Sequence, residues 1–83
     1  GIQCTLWDKR ADIRVAMEQF KQSLVGENIY RLISFDEIYV FYCDSFSSSN
    51  VVSKRYFEFA VRTMFSEHVV YETFITEEWL HMD

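Results

Sequence analysis

Two histidines, two cysteines and a run of three serines are the side chains here whose chemistry could serve catalysis or metal binding. A metal site built on His68 and His81 would need further ligands such as Glu72, Glu77 or Asp83, and nothing in their spacing specifies one. Each histidine is expected as a solvent-facing polar residue near a chain turn. Cys4 and Cys43 form no CxxC pair, and Cys43 precedes Asp44 with no histidine near it in sequence, so no nucleophile signature is present. Both read as buried thiols of a reducing compartment, which points to an intracellular site, cytoplasmic or nuclear. Ser47, Ser48 and Ser49 lack the GxSxG elbow and read as a loop that caps a helix. With only Gly1 and Gly26, there is no glycine-rich phosphate loop. The expectation is a non-enzyme with no catalytic residue, no cofactor and no metal.

Binding chemistry is better represented. The chain is 49% hydrophobic and 18% aromatic, enough apolar surface for a single core. Its net charge is −5, distributed unevenly: through Arg62 the acids and bases balance, whereas Thr63 onward has five acids and no base. Phosphate binding gains from clustered cations, and the only adjacent pairs are Lys9-Arg10 and Lys54-Arg55, so nucleic acid is a disfavoured partner. The longest apolar stretch, Ile38 to Cys43, is far below the roughly 18 residues that cross a bilayer, and no secretory leader is apparent, so no membrane role is expected.

Elements must position these residues. Ile13, Met17, Phe20 and Leu24 recur at helical spacing and predict a helix over 12–25, started by Asp8 or Asp12 and ended by Gly26. A second helix is predicted over 51–66, capped by Ser49 or Asn50, with an apolar arc covering more than half its circumference. Four segments rich in β-branched and aromatic residues, 2–7, 29–34, 38–43 and 69–75, read as strands, with Asp36-Glu37 as a hairpin turn. The resulting order is that of an α+β ferredoxin-like βαββαβ sandwich, a four-stranded antiparallel sheet with two helices on one face. That domain is expected over residues 1–75, with an acidic C-terminal tail or short helix over 76–83. The rival reading takes Ser34-Phe35-Asp36-Glu37 as a capping box, makes 38–46 a helix and yields a winged-helix or helix-turn-helix domain.

In the sandwich, strand alternation sends Cys4 and Cys43 together beneath the helices and leaves the opposite face apolar. Trp7, Ile38, Val40, Tyr42 and Phe74 are the candidate partner-binding residues on that face. A face of this kind needs a cover, so the expected function is a protein-protein interaction or dimerisation module, homodimeric or heterologous, and in one variant a small acidic inhibitor or regulator of another macromolecule. The tail, through Trp79, Leu80 and Met82, is the alternative cover. Two other functions fit the same sandwich: single-stranded nucleic-acid binding in the manner of RNA-recognition-motif sheets, though without their glycine and basic signatures, and a small dimeric ferredoxin-like enzyme.

Overall fold

Helix signals override β-propensity along most of this chain. The structure, a computed structural model, describes the backbone of residues 2–46 and 50–82, and the side chains within those spans from Lys9 onward. Helix α1 runs from Ile2 to Glu27. It therefore includes residues 2–7, expected as a strand, because extending an existing helix carries no new nucleation cost. Gly26 does not end it. Asn28 takes the left-handed conformation instead (φ 56°), with its N–H on the Val25 carbonyl and the Ile29 N–H on the Leu24 carbonyl, the bond pair of a Schellman cap.

Strand β1 is Leu32–Ser34, shorter than the predicted 29–34. Helix α2, Phe35–Ser45, follows at once. Ser34 caps it by accepting from the Glu37 N–H, and Asp36 and Glu37 place negative charge in its first turn. This is where the sandwich reading fails: Ile38 to Cys43 is helix, not a central strand, and Asp36-Glu37 is a helix start, not a hairpin turn. An apolar residue at every position suits either structure, and the cap decides between them. Helix α3, Lys54–Met64, starts at Ser53, whose hydroxyl accepts from the Tyr56 N–H, rather than at Ser49 or Asn50. Residues 47–49 lie outside the described span.

A 3-10 turn, Ser66–His68, leads into β2, Val69–Val70, and β3, Thr73–Ile75. The expected single strand over 69–75 is therefore a hairpin, broken at Tyr71-Glu72. The three strands are antiparallel in the order β1-β3-β2, with Ile33 opposite Phe74 and Phe74 opposite Val69 on the core side. Among the described residues, three α-helices and a three-stranded sheet replace the four-stranded ferredoxin-like sandwich. The element order is αβααββ, and the strand order in the sheet is β1-β3-β2. No helix of the described residues is long and apolar enough to cross a membrane.

Ile13, Met17, Ile38, Tyr42, Phe57 and Phe74 are among the fully buried residues of one continuous core. The C-terminal segment belongs to it: Thr76 exchanges hydrogen bonds with both backbone groups of Arg31, and the 3-10 turn Trp79–His81 buries Trp79 against Phe65 and Phe74. The tail thus packs on the core side and not over the helix-free face of the sheet.

The connection from α2 to α3 is held at one residue. Tyr39 Oη donates to the Val52 carbonyl at 2.7 Å, and the Val52 N–H donates to Tyr42 Oη at 3.1 Å. The Tyr42 ring stacks on Phe57 of α3 at 5.0 Å, and the Tyr39 ring meets Phe57 at 5.3 Å. Burial pushes both phenols above the ordinary value near 10.0, with a hydrogen bond to Cys43 adding to the effect at Tyr39. A raised phenol value means that this contribution to stability is complete below pH 10 and is lost as pH climbs through the folded-state value. Tyr42→Phe is expected to cost about 1–2 kcal/mol near neutrality by stranding the Val52 N–H, and to make the alkaline loss shallower. Urea melts below and above pH 10 check both; an unchanged midpoint would mean that the clamp contributes nothing.

Candidate functional site

The five residues expected on one sheet face do not meet on a surface. Ile38, Tyr42 and Phe74 are buried in the chain's own core, and Val40 stands alone, exposed, on α2. Trp7 falls within α1, and its side chain lies outside the described set. Cys4 also falls in α1 with its side chain undescribed, so the strand register that paired it with Cys43 is gone; Cys43 is a free, half-buried thiol of α2. Aromatic residues went to the core because helix α2 has one buried face and strand alternation no longer applies.

The histidines divide. His81 is exposed and stacks on Tyr30 at 5.4 Å. His68, against expectation, is only 5% exposed and packs beside Phe74. It borders a cleft of about 190 Å3 that also receives Glu18, Lys21, Glu67 and Trp79. Lys21, 7% exposed, is committed there to structure: its ammonium donates to the Met82 carbonyl at 2.6 Å and lies 5.8 Å from the centre of the Trp79 ring. Among the described residues, no group of three histidine, cysteine or carboxylate side chains could hold a metal ion.

The surface with the most converging chemistry is the outward arc of α3. Phe57, Ala60 and Val61 face the core, which turns Arg55, Phe59, Arg62 and Thr63 to solvent along one stripe at i, i+4, i+7 and i+8. Phe59 is 58% exposed, on a helix whose inner face is already filled. Arg62 lies 4.9 Å over the Phe35 ring, which orients its guanidinium without neutralising it. Arg55 has no ion-pair partner among the described residues. Lys54, at the edge of the stripe, is offset by Asp36 and Glu58. Arg10 and exposed Arg14 of α1 border a second cleft, of about 200 Å3, with Met64 at the end of α3. Met64 stands across the helix from Arg55, so this cleft opens on a different side of α3 from the stripe, and the basic residues of the arc are Arg55 and Arg62. The sequence signal that could have found them was the polar side of the 51–66 helix, where Lys54, Arg55 and Arg62 stand against Glu58 alone.

A second exposed feature is the sheet face away from the helices. Leu32 pairs with Ile75 there and Thr73 with Val70, and Leu32 and Val70 are exposed. The hairpin ends in Tyr71, which is 87% exposed and has a φ of 56°. A two-residue turn with positive φ at its first position favours glycine, and a bulky residue there costs about 1 kcal/mol or more. No family model, curated protein or solved structure matches the chain.

The geometry of the arc has its own consequence for stability. Arg62→Ala is expected to lower stability by about 0.5–1 kcal/mol through loss of the Phe35 contact, whereas Arg55→Ala should stay within about 0.5 kcal/mol of the parent. Chemical denaturation of the two variants measures this directly, and equal effects would contradict the placement of Arg62.

Proposed function

We propose that this domain binds a nucleic-acid duplex through the outward arc of α3. The observation that supports this most is the stripe of Arg55, Phe59, Arg62 and Thr63, all exposed, on the second of two consecutive helices. In helix-turn-helix proteins that second helix enters the major groove, with its N-terminal residues at the base edges. Fold analogy alone would not carry a function, since one architecture serves many; the side chains do. Arginine pairs bidentately with guanine or phosphate, an exposed phenylalanine can meet a thymine methyl, and a threonine hydroxyl serves either base edge or phosphate.

A net charge of −5 opposes long-range attraction, so affinity should be modest and strongly salt-dependent. With Arg55 and Arg62 on phosphates, the slope of log affinity against log salt should be about −2. The compartment that fits this role is the cytoplasm or nucleus, where Cys43 stays a thiol.

A second reading has its own support. The pairing of Leu32 with Ile75 on the helix-free sheet face makes a small apolar surface, which suits a protein partner or a second copy of the chain. Among the described residues the sheet has three strands, one fewer than the platform of an RNA-recognition-type sheet.

Fluorescence anisotropy with a short mixed-sequence duplex at two salt concentrations tests the first reading. Arg55→Glu is expected to weaken binding at least tenfold and to flatten the salt slope by about one or more. Absence of duplex binding at low salt, together with concentration-dependent self-association lost in Leu32→Asp, would transfer the function to the sheet face.

A further inference from the structure

We infer that Tyr71, at the tip of the β2-β3 hairpin, stacks on an unpaired base beside the duplex, so that the preferred ligand is a duplex with a single-stranded overhang. This rests on the duplex reading of α3 and specifies its ligand. The first observation is conformational: Tyr71 holds a φ of 56° at a turn position that glycine fills without strain. A residue kept in an unfavourable backbone state, with its side chain making no contact that offsets it, points to a role outside the fold. The ring is 87% exposed, the most exposed of the described large apolar side chains, and none of the described ring contacts or hydrogen bonds uses it.

The second observation is where the tip sits. The carbonyl of Glu72, the other residue of the turn, accepts from the Phe35 N–H, and the Phe35 ring is the one that carries the Arg62 guanidinium. The tip and the α3 arc are therefore joined through one residue, Phe35. The turn is also closed by Thr73, whose hydroxyl donates to the Val70 carbonyl at 2.6 Å, so the ring is presented from a braced hairpin rather than a loose loop.

The third is chemical. A phenol ring offers a flat face that stacks on any base, whereas the Glu72 carboxylate beside it disfavours a phosphate. What Tyr71 meets is thus a base and not the sugar-phosphate chain. Bases inside a duplex are already stacked on one another, and an unpaired one at the duplex end is free to stack on protein. Arg62 and Arg55 hold the adjoining paired segment through its phosphates.

The test compares a blunt duplex with the same duplex carrying a short overhang whose first unpaired base is 2-aminopurine. The parent protein is expected to favour the overhang roughly tenfold and to quench the 2-aminopurine on binding. In Tyr71→Gly the preference should fall to about one and the quenching should vanish, while Tyr71→Phe keeps both. The glycine variant relieves the positive φ, so its melting temperature should equal or exceed the parent's, which separates lost stacking from lost fold. Equal affinity for the two duplexes in the parent, or an overhang preference that survives Tyr71→Gly, would overturn the inference while leaving the α3 reading intact. If neither duplex binds and Arg55→Glu changes nothing, the α3 reading itself fails and this inference with it. Loss of self-association in Tyr71→Gly without any nucleic-acid effect would assign the ring to a protein contact.

Discussion

Two phenol hydroxyls from successive turns of α2 grip the backbone of Val52, and the position of α3 follows from that grip. Tyr39 takes the carbonyl and Tyr42 the N–H, so both hydrogen-bonding groups of the residue before the Ser53 cap are satisfied by one helix face. Phe57 then stacks on Tyr42, fixing the rotation of α3 about its axis. Once Phe57, Ala60 and Val61 point inward, helical periodicity leaves Arg55, Phe59 and Arg62 no direction but outward. The arc is a consequence of how the connection is anchored. Aromatic α2 is thus a structural element, and the hydroxyls of Tyr39 and Tyr42 serve to orient α3.

How much of this was legible in the sequence differs from element to element. The apolar spacing of Ile13, Met17, Phe20 and Leu24 located the buried stripe of α1, and the 51–66 helix was legible because seven of its positions fill an arc too wide for a strand. The run Ile38 to Cys43 was ambiguous in a specific way. With every position apolar, period 2 and period 3.6 fit equally, and β-branched and aromatic content favoured the strand. The side chain of Ser34 and the first-turn acids Asp36 and Glu37 carried the opposing information. A single cap outweighed six residues of propensity because a helix at this point also lets Tyr39 and Tyr42 reach Val52. No local pattern encodes that non-local contact. The end of α1 shows the same limit: Gly26 and Asn28 are both competent terminators, and the burial of Ile29 selects Asn28.

The expected functional face failed with the strands that were to build it. Ile38, Tyr42 and Phe74 were chosen as surface anchors on strand alternation, and the helix and the hairpin turned all three inward. Conversely, the sequence puts Arg55 and Arg62 on the polar side of the 51–66 helix and Phe59 at the edge of its apolar arc, and a net charge says nothing about which cations share a side. Asp36 offsets Lys54, and Glu37 pairs with Arg31 at 2.8 Å, so carboxylates near the arc are occupied elsewhere while Arg55 and Arg62 are not neutralised. An acidic chain can present a locally basic stripe in this way. Glu67, Glu72, Glu77 and Glu78 lie on other elements and keep the molecule's overall field negative.

The central claim, that α3 and not the sheet face is the working surface, is most directly tested by residue-resolved NMR. Amide and side-chain shifts of an isotopically labelled sample would be followed during titration with a short duplex. The account expects progressive perturbation of Arg55, Phe59, Arg62 and Thr63, with Leu32 and Ile75 unmoved. Perturbation centred on Leu32, Val70 and Ile75, or none at any ligand excess, would contradict it.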